Sequence, residues 1–350
     1  MQSSQGLSVL RPLSRLFGES RTWLDGRPLW QVLSDLRQHP SYAGMLRPDT
    51  PSGAHTHYQV MTRLFAREHA ERARLGEWLT VEGCDRIDPQ KGYIVRDLAD
   101  HPAVKDGLAR CDEIRTGPEF DNVLQKHGRP VLRTYPLRQD EPRNEAIFRL
   151  ATDPVLLAPI ADYLGGIPVL QTAMISYSPN RESVGQSQHY HLDSEDHRQI
   201  KCNIYIKDVD EDTGPLTIMR ADHTRRLFDR LHQQGAAPNR GTYLDDDLVR
   251  NASAPGPGEA ESLCGPRGTV SLVDTSNCFH YGSRRAKKSR LALYFHYVSA
   301  FAVSLPLWGR HLKDHPLVPT GSPEMDRIRT LVLGLPHLPV NRARDRKRQR

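Results

Sequence analysis

Gln188-His189-Tyr190-His191-Leu192-Asp193 is the stretch around which the rest of the chain is organised. Side chains of an extended strand alternate between its two faces. His191 and Asp193 therefore project together, Leu192 packs on the other side, and His189 shares the face of the pair and could act as a ligand in their place. An imidazole and a carboxylate aimed at one point make two-thirds of the two-histidine, one-carboxylate arrangement that holds non-haem Fe(II) and leaves other coordination positions open. The triplet alone decides little, because a chain with 16 His and 42 acidic residues produces such triplets by chance. A pair of solvent-facing strand polars would look the same. The second histidine has to come from elsewhere.

About ninety residues downstream, Gly268-Thr269-Val270-Ser271-Leu272-Val273-Asp274 reads as an apolar strand opened by glycine, followed by a polar turn and His280. Tyr281-Gly282-Ser283, a basic turn and the strand Arg290-Leu291-Ala292-Leu293-Tyr294-Phe295-His296-Tyr297-Val298 come next. The order His-x-Asp, distal His, and Arg ten positions beyond it at the head of a strand resembles the phytanoyl-CoA dioxygenase family of Fe(II)/2-oxoglutarate-dependent oxygenases. Gln171, Pro179, Gly185, Gln188 and Tyr190-His191-Leu192-Asp193 resemble that family's Gln, Pro, Gly and Trp-His-x-Asp series. Thr213-Gly214-Pro215-Leu216 is similar to its Asn-Gly-x-Leu, and Arg220-Ala221-Asp222-His223 stands where Gly-Ser-His is usual. The likeness spans roughly residues 142–300.

The resemblance implies a mainly β fold with helical additions: a double-stranded β-helix (jelly-roll, cupin-like) core with N-terminal helices packed around it. It implies His191, Asp193 and His280 as Fe(II) ligands, with 2-oxoglutarate and O2 as cosubstrates and Arg290 gripping the distal carboxylate of 2-oxoglutarate. Guanidinium suits that task because its planar fork matches a carboxylate. Gln171, Asn203 and Ser283 are the further cofactor-contact candidates. The chain departs from the family in having Tyr190 for Trp, and Gly282 where a hydroxyl residue is usual, with Ser283 one step late. An Asp at 193 argues against the related halogenases, which carry a small residue there. The implied reaction is hydroxylation, or another oxidation, of an unactivated C–H in a small-molecule substrate. Two other readings stay open: a non-catalytic metal-binding or regulatory β-helix module, and a cupin-like metal hydrolase or isomerase with His189 as third ligand and no need of Arg290.

The formal charge of +6 suggests nucleic acid until it is located. Residues 341–350 hold six Lys/Arg against one Asp, so the body is nearly neutral and no nucleic-acid partner is expected. That tail reads as disordered and solvated, able to touch anionic surfaces. The 5 cysteines are odd in number and lack Cys-x-x-Cys spacing, which suits neither a disulfide framework nor a zinc knuckle. With no apolar leader and no transmembrane run, a cytoplasmic protein is expected.

The expected layout is an N-terminal helical extension over 1–85, an oxygenase domain over 86–300, an arm over 301–340 and the basic tail. Amphipathic helices are expected at 28–37 and 54–79, a strand around Gly92-Tyr93-Ile94-Val95, another at 129–135 and one helix across 142–164 ended by Gly165-Gly166. Residues 227–267, rich in Gly, Pro and Asn, read as a long lid-like loop over the site. His223 is expected in a strand-ending turn and His296 on a packed strand. Arg284, Arg285, Lys287 and Lys288 read as a solvated basic turn, or alternatively as a grip on an anionic substrate.

Overall fold

The computed structural model describes residues 50–334 apart from 81–82, 126–131, 181–184, 237, 254–259, 306–311 and 313–314. The helix expected at 28–37 and the basic tail at 341–350 lie outside the described residues. Two helices open the described chain, α1 (Pro51–Leu64) and α2 (Ala66–Leu79), where the sequence suggests one. The break falls at Phe65, whose backbone leaves the helical region at φ −113°, ψ 44°. Residues 142–164 also divide, into a short 3-10 turn, α5 (Glu145–Ala151) and α6 (Pro154–Leu164). Pro154 cannot continue a helix but suits the first position of a new one. Asp153 caps that start by accepting from Val155 N at 2.9 Å, and Gly165 closes it in the left-handed conformation at φ 77°. Helices α3 (Pro102–Arg115) and α4 (Pro118–Leu124) have no counterpart among the sequence expectations.

The strands are β1 (Tyr93–Asp97), β2 (Arg133–Pro136), β3 (Val169–Ser178), β4 (Gln199–Tyr205), β5 (Leu216–Ile218), β6 (Glu261–Leu263), β7 (Thr269–Asp274), β8 (His280–Tyr281) and β9 (Arg290–Val298). Antiparallel pairing arranges six of them as β1-β7-β4-β9-β3-β2 and three as β6-β5-β8. After β3 the chain crosses to pair His191 with His280 at the small sheet and returns as β4. It crosses again as β5 and β6, returns as β7, crosses as β8 and ends in the large sheet as β9. This alternation is a double-stranded β-helix.

Strand alternation decides which residues face the helices. Ile200, Cys202 and Ile204 of β4, with Leu291, Leu293, Phe295 and Tyr297 of β9, join one buried core with Val104, Leu108, Leu150, Leu156, Ile160 and Ile328. The last of these belongs to α9 (Pro323–Leu333). The intervening residues Lys201, Asn203, Arg290 and Tyr294 face the other way, into a cavity bounded across the barrel by Leu216 and His280. Residues 227–267 are not one loop. They hold most of α7 (Ala221–Gln233), α8 (Asp246–Ala252) and β6, and His223 lies in the first turn of α7 rather than in a strand-ending turn.

Candidate metal centre

Residues 188–193 form no regular strand. Gln188 ends a short 3-10 turn, and the ligand segment is extended chain held by single pairings, Tyr190 with Leu244 and His191 with His280. The two histidines exchange backbone hydrogen bonds of 3.2 Å each way, and Asp193 N donates to Thr275 O at 2.9 Å. Backbone pairing thus brings the distal histidine beside the first, with ring centroids 4.2 Å apart.

One ligand atom from each of His191, Asp193 and His280 lies within 4.8 Å of the others. His191 Nε2 is 3.9 Å from Asp193 Oδ1, and His280 Nε2 is 3.4 Å from Oδ2. Atoms at right angles around one ion with bonds of about 2.1 Å stand about 3.0 Å apart, so small side-chain rotations suffice for a common first shell. The Nδ1 atoms of His191 and His280 lie 2.9 Å from His189 O and 3.0 Å from Cys278 O. Each Nδ1–H donates to its carbonyl, which turns the Nε2 lone pairs toward the cluster. Burial, with the neighbouring His191, pulls His280 down to about 3, and burial also lowers His191. Both imidazoles are therefore neutral at pH 7. Burial pushes the Asp193 carboxyl up, but Lys201, His280 and His191 together outweigh it and hold the group well below the carboxylate range. Two neutral imidazoles and one carboxylate suit a non-haem ferrous ion. His189 supplies its carbonyl, while its ring is outside the cluster.

From this cluster a cavity of about 130 Å³ runs inward, lined among others by Asn203, Tyr294, Ser283 and Arg290. Burial lowers the Arg290 guanidinium from its ordinary value; the Tyr205 phenol offsets part of this, and among the described residues no carboxylate does. Its polar contact is Ser283 Oγ, 3.2 Å from Nη2. Ser283 reaches that place although it is one residue late, because it adopts φ 59°. Its N–H donates to Gly214 O at 3.2 Å, and its carbonyl accepts from Gln188 Nε2 at 2.5 Å. Gly214 is required there, since a Cβ would stand 2.9 Å from Ser283 Cα, on a backbone at φ 64°. Gln171 lies at the β3 irregularity between Leu170 and Thr172 and is not among the cavity-lining residues.

The structure adds residues that the sequence reading passed over. Lys201 reaches Asp193 Oδ2 at 2.5 Å. Tyr243 lies edge-on to His191 at 5.3 Å and is 47% exposed. Arg284 is no solvated turn residue: its side chain is 11% exposed and its Nη1 meets both oxygens of Asp246, at 2.6 and 2.8 Å. Its guanidinium carbon also lies 3.5 Å from the centre of the Tyr281 ring. A signal for Lys201 was available, since Gln199, Lys201 and Asn203 place polar groups on one face of a strand whose other face is apolar.

No family model matches the chain, and no curated protein matches it. Among solved structures it is similar to HygX from Streptomyces hygroscopicus with nickel and 2-oxoglutarate bound, at 19% identity and TM-score 0.41, covering 61% of this chain and 84% of that one. It is similar to EctD from S. alaskensis with 2-oxoglutarate and 5-hydroxyectoine, at 16% identity and TM-score 0.43, covering 60% and 73%. It is also similar to AviO1 from Streptomyces viridochromogenes Tue57, at 16% identity and TM-score 0.41, covering 66% and 96%.

Proposed function

We propose that the protein is an Fe(II)/2-oxoglutarate-dependent oxygenase that oxidises an unactivated C–H of a small molecule, by hydroxylation in the first instance. The observation that carries this reading is a half-buried arginine with no carboxylate partner among the described residues, lining the same cavity as the two histidines of a cluster that a carboxylate completes. A guanidinium left so in the interior calls for an anionic guest. A dicarboxylate that spans from the cluster to Arg290 meets both demands. Bound Fe(II) would supply O2 activation coupled to conversion of 2-oxoglutarate to succinate and CO2.

In this reading His191, Asp193 and His280 hold the metal, and Arg290, steadied by Ser283, grips the far carboxylate. Asn203 and Tyr294 form the side wall, and Tyr243 stands where the substrate approaches His191 from outside. The 5 cysteines are free thiols, which suits the reducing cytoplasm. Among the described residues no helix is long and apolar enough to cross a membrane.

The test is anaerobic titration of 2-oxoglutarate into the Fe(II)-loaded protein, followed by the weak visible charge-transfer absorption of the chelate. Arg290→Ala removes a charge-assisted contact and leaves a carboxylate unpaired, at a cost of about 2–5 kcal/mol, or roughly thirty- to several-thousand-fold in affinity. Arg290→Lys restores part of the loss, because it keeps the charge without the fork. Arg290→Ala binding like the parent would remove Arg290 from the role, and a parent that binds no 2-oxoglutarate would overturn the reading.

A further inference from the structure

Lys201 occupies an unusual place for a lysine. β4 carries it inward, paired with Val273 of β7 on one side and His296 of β9 on the other, and it lines the same cavity as Asn203 and Arg290. Its side chain is 20% exposed, and its Nζ lies 2.5 Å from Oδ2 of Asp193, the carboxylate of the metal cluster. A lysine in contact with a carboxylate is an ammonium at neutral pH.

An ammonium at that position opposes the arrival of a divalent cation and occupies half of its carboxylate ligand. The same ammonium favours a dianion in the cavity, where it and Arg290 are the two cationic side chains of the lining among the described residues. We propose that Lys201 is a positioning residue that makes metal and dianionic cosubstrate depend on one another: it holds Asp193 to a single free oxygen, weakens the bare metal, and strengthens the 2-oxo dicarboxylate once metal is present. The inference rests on the function proposed above, and it predicts effects of opposite sign at two steps. A residue that merely supports the fold would weaken both.

The experiment measures Mn(II) binding to the full chain under anaerobic conditions, from the free-ion electron paramagnetic resonance signal, followed by calorimetric titration of 2-oxoglutarate into the Mn(II)-loaded protein. No turnover is involved. Lys201→Met, close in length but uncharged, should bind Mn(II) alone about tenfold more tightly and 2-oxoglutarate about tenfold more weakly, in line with the loss of one nearby charge. Lys201→Arg should return both constants toward the parent. Near-ultraviolet circular dichroism and the melting midpoint show whether each variant is folded, and a misfolded Lys201→Met is replaced by Lys201→Gln. Weaker metal binding in a folded neutral variant, or unchanged 2-oxoglutarate affinity, overturns the proposal. A parent that takes up Mn(II) but binds no 2-oxoglutarate sinks the functional reading instead, so the two failures are distinct.

Discussion

His296 sits inside the barrel with a buried Nε2 that has no hydrogen-bond partner among the described residues, and burial, with Lys201 next to it, pulls its pKa down to about 4. In the unfolded chain the imidazole titrates near 6.5, so between pH 6.5 and 4 the unfolded state takes up a proton that the folded state refuses. Stability from this residue is level above pH 6.5 and falls as the pH drops, by about 2 kcal/mol at pH 5. Urea unfolding of metal-free protein at pH 7.5 and 5.0 should show the fall, and His296→Gln should remove about that share of it. An unchanged pH dependence in the variant would mean that the imidazole is already protonated when folded. At this scale the sequence was readable where spacing carries the signal, as in His191, Asp193 and His280, which come together around one point. For Lys201 the polar face shared with Gln199 and Asn203 is a signal, but a weak one, because a lysine is read as solvated until its strand face is known to be interior. Ser283 was legible as a residue type but not as a position, since its reach to Arg290 depends on a left-handed backbone.

Residues 240–252 show why a loop-like composition misled at the scale of elements. Gly, Pro and Asn were read as a covering loop, yet Leu244 pairs with Tyr190 and Gly241 N donates to Leu192 O at 2.7 Å, so the segment lies along the metal-bearing chain. Asp245 then caps α8 through Leu248 N at 2.7 Å, and Asp246 turns back to Arg284. The acidic run is thus a cap and an ion-pair partner. A pair with one side chain largely buried contributes more than a surface pair, and removing Asp246 leaves Arg284 with its Nε bond to Gln188 O and its ring contacts but without a counter-charge. Asp246→Ala should therefore raise amide exchange over 240–252 and cost about 1–3 kcal/mol. The double variant with Arg284→Ala should cost less than the sum of the single ones. Additive costs would show that the pair is not coupled, and unchanged exchange would show that the backbone pairing alone holds the segment. Arg284→Ala should leave 2-oxoglutarate affinity within a few-fold of the parent, because Arg284 turns to Asp246 and does not line the cavity.

For the whole molecule, the double-stranded β-helix was legible through the ordered motifs that resemble a known family, and strand alternation then sorts its faces: Ile200, Cys202 and Ile204 pack against helices while Lys201 and Asn203 line the cavity. The helical layer was harder to read, since α3 hides its apolar stripe of Val104, Leu108 and Cys111 among charges, and the breaks at Phe65 and Pro154 follow tertiary packing as much as propensity. This architecture hangs the candidate ligands on single backbone pairings, Tyr190 with Leu244 and His191 with His280 of the small sheet, so the site and the local fold share the same contacts. Filling the site should then stabilise the fold as a unit. A ligand that binds only the native state at one hundred times its dissociation constant adds about 2.7 kcal/mol. At roughly 2–4 °C per kcal/mol for a domain of this size, Mn(II) with 2-oxoglutarate should raise the melting midpoint by roughly 5–10 °C. Asp193→Ala should lose this rise, since it removes the sole carboxylate of the cluster. Arg290→Ala should keep the part due to the metal and lose the part due to 2-oxoglutarate. A rise of equal size in Asp193→Ala would place the metal elsewhere, and a rise with metal that 2-oxoglutarate never adds to would leave a metal-binding barrel without this cosubstrate.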